Sequence, residues 1–120
     1  MPMTPEQRRA QHAWDKAREG VARYPGDYVN DAKGLPALIM NSGLMQVMAF
    51  LHGKGGRHDL LGAHLRDWLG EQCRTPRDFD GFMKTLVEMN DASRFQAITA
   101  EAFAWLKWLR QIAPACRNGD

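Results

Sequence analysis

The sequence predicts an all-α fold, a compact bundle of about six helices in a single domain over residues 1–120, and three observations carry that expectation. Apolar residues recur at helical spacing in one segment after another. Threonine-proline and proline-glycine pairs punctuate these segments where helices begin and end. No stretch alternates apolar and polar residues with the period of two that a strand requires, β-branched residues are sparse, and no two runs flank a hairpin turn. With 44% apolar residues in 120, the chain can bury one core without disulfide or metal staples.

Thr4-Pro5-Glu6-Gln7 reads as the start of the first helix, with Thr4 as N-cap, Pro5 at the first helical position and Gln7 placed to close a capping box. Its apolar face collects Ala10, Ala13, Trp14, Ala17 and Val21, and Tyr24-Pro25-Gly26 ends it. Asp27 is placed to cap a second helix carrying Tyr28, Val29 and Ala32, which the sequence predicts to break at Gly34. Gly34 and Pro36 then bracket the start of a short helix closed by Asn41, Ser42 and Gly43. Beyond that turn, Leu44, Val47, Met48 and Leu51 put one stripe of the next helix against the core, so that 35–54 forms a helix-turn-helix corner. His52 to Arg57, with three glycines, reads as a loop.

Asp59 is expected to cap the helix that presents Leu61, Leu65, Trp68 and Leu69, with its end between Gly70 and Arg74. Thr75-Pro76 repeats the threonine-proline start, and Phe79, Phe82, Met83, Leu86 and Val87 fall on one face. Asn90 or Asp91 caps the last helix, whose face holds Phe95, Ile98, Ala102, Leu106, Leu109 and Ala113 before Pro114 stops it. Trp108 stands roughly 110° from the centre of that face at 100° per residue, which singles it out as a candidate partner-interface residue. A wide apolar face on a central helix is the competing account, and the sequence favours it slightly.

Sixteen basic against fourteen acidic side chains give a net charge of +2, too little for a protein that coats nucleic acid by charge alone. Any nucleic-acid role therefore rests on local patches. Arg8, Arg9, Lys16 and Arg18 on the first helix, and Lys33, Lys54 and Arg57 around the corner, are the candidate RNA-binding residues, able to follow a phosphate backbone if they converge. The paired arginines near the start precede no apolar h-region, and no apolar run approaches the roughly 20 residues that cross a bilayer. The reading places the chain in the cytoplasm, with Cys73 and Cys116 as reduced thiols and no membrane partner.

The residues give an enzyme little to stand on. His12, His52, His58 and His64 include no pair four apart and no HExxH setting, so no metal site and no cofactor are expected. Gly53, Gly55 and Gly56 follow a helix rather than a strand, unlike a phosphate-cradling loop, and no Gly-x-Ser-x-Gly elbow occurs.

Taken in order and spacing, Gln7-Arg8-Arg9-Ala10, Tyr28 with Ala32-Lys33-Gly34-Leu35-Pro36, Ile39, Gly43-Leu44, Phe50-Leu51, Lys54, Trp68-Leu69, Thr99-Ala100-Glu101-Ala102 and Trp108-Leu109-Arg110 run over nearly the whole chain. In this the sequence resembles the small helical subunit of the type III-B CRISPR effector, the RNA-guided Cmr complex. It departs at Phe95-Gln96, where the family pattern has tyrosine-arginine, so no basic contact is carried over to Gln96. The resemblance implies a non-catalytic subunit that stacks in several copies along the complex and lines the channel holding guide RNA and target RNA. Its partners would be other Cmr subunits, further copies of itself and those RNAs, in antiviral defence. A helix-turn-helix regulator of duplex DNA and a helical adaptor that binds only protein are the alternatives from other classes.

Overall fold

The computed structural model describes residues 2–117, and among them the chain forms helices α1 (Pro5–Arg23), α2 (Pro25–Ser42), α3 (Leu44–Lys54), α4 (Gly56–Cys73), α5 (Phe79–Val87) and α6 (Ala92–Arg117), with no strand. α6 lies along α1 and α2, α4 sits between those helices and α3, and α5 closes over α3 and α4. The expected all-α bundle is what the chain builds. One contiguous core runs through it, with Trp68, Trp105, Tyr28 and Phe82 as its largest fully buried side chains.

The local start signals on α1 and α6 act as read. Thr4 Oγ1 accepts from the Gln7 amide while Gln7 Oε1 accepts from the Thr4 amide, a complete capping box. Asp91 Oδ1 accepts from the Arg94 amide at the head of α6. On α1, Ala13, Ala17 and Val21 are buried, but Trp14 stands at the edge of the stripe and is 46% exposed rather than part of the core. Small side chains on this face let neighbours approach closely. Gly20 is the extreme case, because a Cβ there would lie 2.4 Å from the Tyr28 ring.

Asp27 lies in the first turn of α2, which starts at Pro25 with Tyr24 as its N-cap, and four further expected boundaries are corrected. α2 does not break at Gly34 but runs unbroken from Pro25 to Ser42, with Pro36 inside it. Pro36 offers no N–H to the Ala32 carbonyl, which costs roughly 3 kcal/mol in a helix interior. Tyr28, Ala32, Leu35 and Ile39 nonetheless form one buried stripe through that point. Full burial of Leu35 and Ile39, at about 1.5–3 kcal/mol each, outweighs the loss. Pro114 likewise lies inside α6 rather than ending it.

The expected loop from His52 to Arg57 shrinks to Gly55, so Asp59 falls in the first turn of α4 instead of capping it. Gly43 (φ 84°, ψ 158°) and Gly55 (φ 71°, ψ −170°) each make a one-residue joint, in backbone regions that are nearly reserved for glycine. The fourth correction is at Thr75, which is buried and does not start a helix. α5 begins at Phe79 with Asp78 as its cap, accepting from the Gly81 amide at 2.7 Å. Phe82 and Leu86 are buried there, whereas Val87 is exposed.

Candidate nucleic-acid interface

The seven candidate cations fall into two groups, and no hydrogen bond or ion pair among the described residues joins one group to the other. On α1, Arg8 and Arg18 are exposed and carry no ion pair among the described residues. Arg9 is committed inward. Its Nε and Nη2 donate to Glu101 Oε2 and Oε1 at 2.6 and 2.9 Å, and its Nη1 donates to Glu6 at 2.7 Å. The paired hydrogen bonds to Glu101 raise the Arg9 pKa further above its ordinary value. Lys16 Nζ stands 3.8 Å from Asp67, a carboxylate also approached by Arg77 at 3.6 Å.

At the corner, Lys33 and Lys54 are exposed. Lys33 makes no ion pair among the described residues, and Lys54 Nζ lies 6.0 Å from the centre of the Phe50 ring. Arg57 ties α4 to α2, with Nε donating to Asp31 at 3.0 Å and Nη1 standing 3.2 Å from Asp27. Arg8, Arg18, Lys33 and Lys54 are therefore the cations open to a polyanion, while Arg9, Lys16 and Arg57 already face carboxylates.

Sequence reasoning missed a polar network inside the bundle. The Trp105 indole N–H donates to His12 Nδ1 at 2.9 Å, which leaves His12 Nε2 to donate to Asp67 at 2.8 Å. The Trp68 indole N–H donates to Glu101 at 3.0 Å. Burial alone would raise the Glu101 carboxyl, but the hydrogen bonds from Arg9 and Trp68 hold it below its usual range. Deeper still, Tyr28 and His64 Nδ1 are 2.8 Å apart and His64 Nε2 is 3.0 Å from Glu19. Because a carboxylate only accepts, Nε2–H donates to Glu19 and the Tyr28 hydroxyl donates to Nδ1. Burial pushes the His64 imidazole down to about 4 despite the pull of Glu19, so it is neutral near pH 7. The available signal was the pair of core tryptophans, since a buried indole N–H calls for an acceptor on a facing helix.

Trp108 is half-buried against the core and its N–H donates to Glu6 Oε2 at 3.2 Å. It bridges α6 to the first turn of α1 while keeping part of the ring at the surface. Neither cysteine is in a disulfide, and burial raises the Cys73 thiol pKa, which keeps it protonated. Among the described residues no group of three or more histidine, cysteine or acidic side chains is placed to hold a metal ion, and no helix is long and apolar enough to cross a membrane.

Residues 5–116 match the family of CRISPR-associated proteins designated Cas_Cmr5. The chain is 30% identical over 114 residues to the CRISPR system Cmr subunit Cmr5 of Thermus thermophilus, covering 88% of this chain and 90% of that protein. It is 29% identical over 96 residues to the Cmr subunit Cmr5 of Thermotoga maritima, covering 78% and 70%. The crystal structure of a Cmr5 family protein from Thermus thermophilus superposes with a TM-score of 0.80 at 30% identity, over 95% of this chain and 98% of that one. The chain belongs to the Cmr5 family of CRISPR-associated proteins.

Proposed function

We propose that this chain is a non-catalytic small subunit of a type III-B CRISPR ribonucleoprotein effector, one that stacks along the guide and target RNA channel and supports target binding in antiviral defence. The observation that carries the reading is the family match over residues 5–116, to relatives that are themselves named Cmr subunits. The surface supports it: exposed cations with no ion pair among the described residues lie on α1 and at the α2–α3–α4 corner, on a chain of near-neutral net charge. Base pairing reads sequence in such an assembly, and the protein only has to hold the backbone.

Magnitudes set how such a subunit works. If one copy neutralises about three phosphates of a single strand, the salt slope is about −2, and fourfold more salt weakens binding roughly twentyfold. A lone copy binds RNA poorly, and a row of copies making the same head-to-tail contact adds weak sites through effective concentration. Trp108, with its partly open ring, contributes to a subunit contact in this reading.

The test is co-purification of tagged protein with partner masses and nuclease-protected RNA read together, followed by charge reversal at Arg8, Arg18, Lys33 and Lys54. Recovery of guide-length RNA with other Cmr subunits, and loss of target affinity in the reversed variant, is the expected result. Recovery with protein partners alone, indifferent to salt and RNA, would establish the adaptor reading instead. The duplex-DNA alternative is poorly served by α3, whose Leu44, Val47, Met48 and Leu51 are buried, whose exposed face interrupts Gln46 and Lys54 with Ala49, Phe50 and Gly53, and whose His52 is already bonded to Asp59 and stacked on Phe79.

A further inference from the structure

Phe50 is a large aromatic side chain that the core does not absorb: it is 48% exposed on α3, beside a groove of about 210 Å³ bounded by α2, α3 and α4. One wall carries the Phe50 ring and the His58 ring, 6.0 Å apart and edge-on at 75°. Leu38 continues the apolar lining, Asn30 and Asp31 supply its polar end, and Gly34 presents bare backbone. Lys54 lies over the Phe50 ring and supplies a cation beside the groove. The Asp31 carboxylate is covered by Arg57 at 3.0 Å, so the groove does not repel an anion at that end.

We infer that this groove is a slot for one unstacked nucleobase of single-stranded RNA, stacked on Phe50, with an adjoining phosphate on Lys54. The inference rests on the RNA-channel reading above and names what this part of the surface would take. Chemistry favours a base over a peptide element. A flat π-face accepts any base, the Asn30 amide offers both a donor and an acceptor to a base edge, and the Lys54 ammonium beside the ring matches an adjoining phosphate. A partner's apolar side chain would use the ring but leave Lys54 unmatched.

The experiment uses the complete Cmr assembly containing this chain, with single-stranded target RNA oligonucleotides as probes. Phe50→Ala and Phe50→Leu are expected to lower target affinity by about 5- to 150-fold per occupied slot, with an unchanged salt slope, and Phe50→Trp to restore it. Lys54→Gln should instead flatten the slope by about 0.7 per copy. A fold-safe block is available at Gly34, where an added Cβ meets nothing within 4 Å, so Gly34→Leu fills the groove without displacing the core. Target RNA carrying one abasic nucleotide should lose affinity at particular positions with the native chain and at none with Phe50→Leu. Weakening by charge reversal at Arg8 and Arg18, with no effect of Phe50→Leu or Gly34→Leu, would overturn the slot and leave the RNA-channel reading standing. An assembly that binds no RNA would overturn both. Loss of copies of this chain from the intact assembly mass in the Phe50 variants would identify the groove as a protein interface and also overturn the slot.

Discussion

The α1–α4–α6 interior and the α2–α3–α4 corner are built from similar residue types and use them in opposite ways. In the interior, Arg9, His12, Glu101 and two indoles, and separately His64 with Tyr28 and Glu19, are turned inward so that each has hydrogen-bond partners. At the corner, Phe50, Lys33 and Lys54 point outward. Polar chemistry in the interior holds helices in register, and polar chemistry at the corner is available to a ligand. Each region predicts how its own substitutions behave.

The largest effect belongs to Glu101, which accepts from both Arg9 and Trp68 with only a tenth of its side chain exposed. Glu101→Ala leaves the Arg9 guanidinium with Glu6 as its only carboxylate and the Trp68 indole N–H unpaired, and should cost about 3 kcal/mol, read as a lower urea midpoint with an unchanged m-value. Exchange at Lys54, by contrast, should leave the midpoint where it is. A Glu101→Ala protein as stable as the native one would mean that the interior network does not lock the helices.

Next is the response to acid. His64 titrates at about 4 in the folded chain against an ordinary 6.5, so the unfolded chain takes up its proton first. The contribution is complete above pH 6.5 and is lost as pH falls toward 4, up to about 3 kcal/mol. Glu101 and Asp67, whose carboxyls are held low by their partners, add to acid loss only below their ordinary range. Stability measured from pH 7 to 4.5 isolates the imidazole, and His64→Gln, which can still donate and accept, should flatten the curve across that window.

What the sequence discloses divides along the same line. The capping box at Thr4 and the cap at Asp91 involve partners three residues away and were legible, as were the apolar faces of α1, α3 and α6. The continuity of α2 through Pro36 was not, because the burial that sustains it comes from α1, α4 and α6 rather than from neighbouring residues. Among the candidate cations, spacing could place all seven on polar faces but could not see that Arg9 meets a carboxylate 92 residues on or that Arg57 meets one 26 residues back. Trp14 shows the converse, since helical periodicity assigns a face without saying whether a neighbour covers it.

One substitution made in both regions separates them by sign. Gly20 and Gly34 both lie inside helices, where alanine is intrinsically better by about 1 kcal/mol. At Gly34 the new methyl group points into open space, so Gly34→Ala should realise that gain and raise the urea midpoint. At Gly20 the methyl group would sit 2.4 Å from a fully buried tyrosine ring that is itself held by His64. Overpacking a rigid ring costs about 1–3 kcal/mol, which meets or exceeds the propensity gain, so Gly20→Ala should be neutral at best and most plainly destabilising if Tyr28 cannot shift. Tyr28→Phe keeps the ring but removes its bond to His64, freeing it to move. Combined with Gly20→Ala it should therefore cost less than the sum of the two single changes, and strict additivity would show that the ring is not what the interior closes upon.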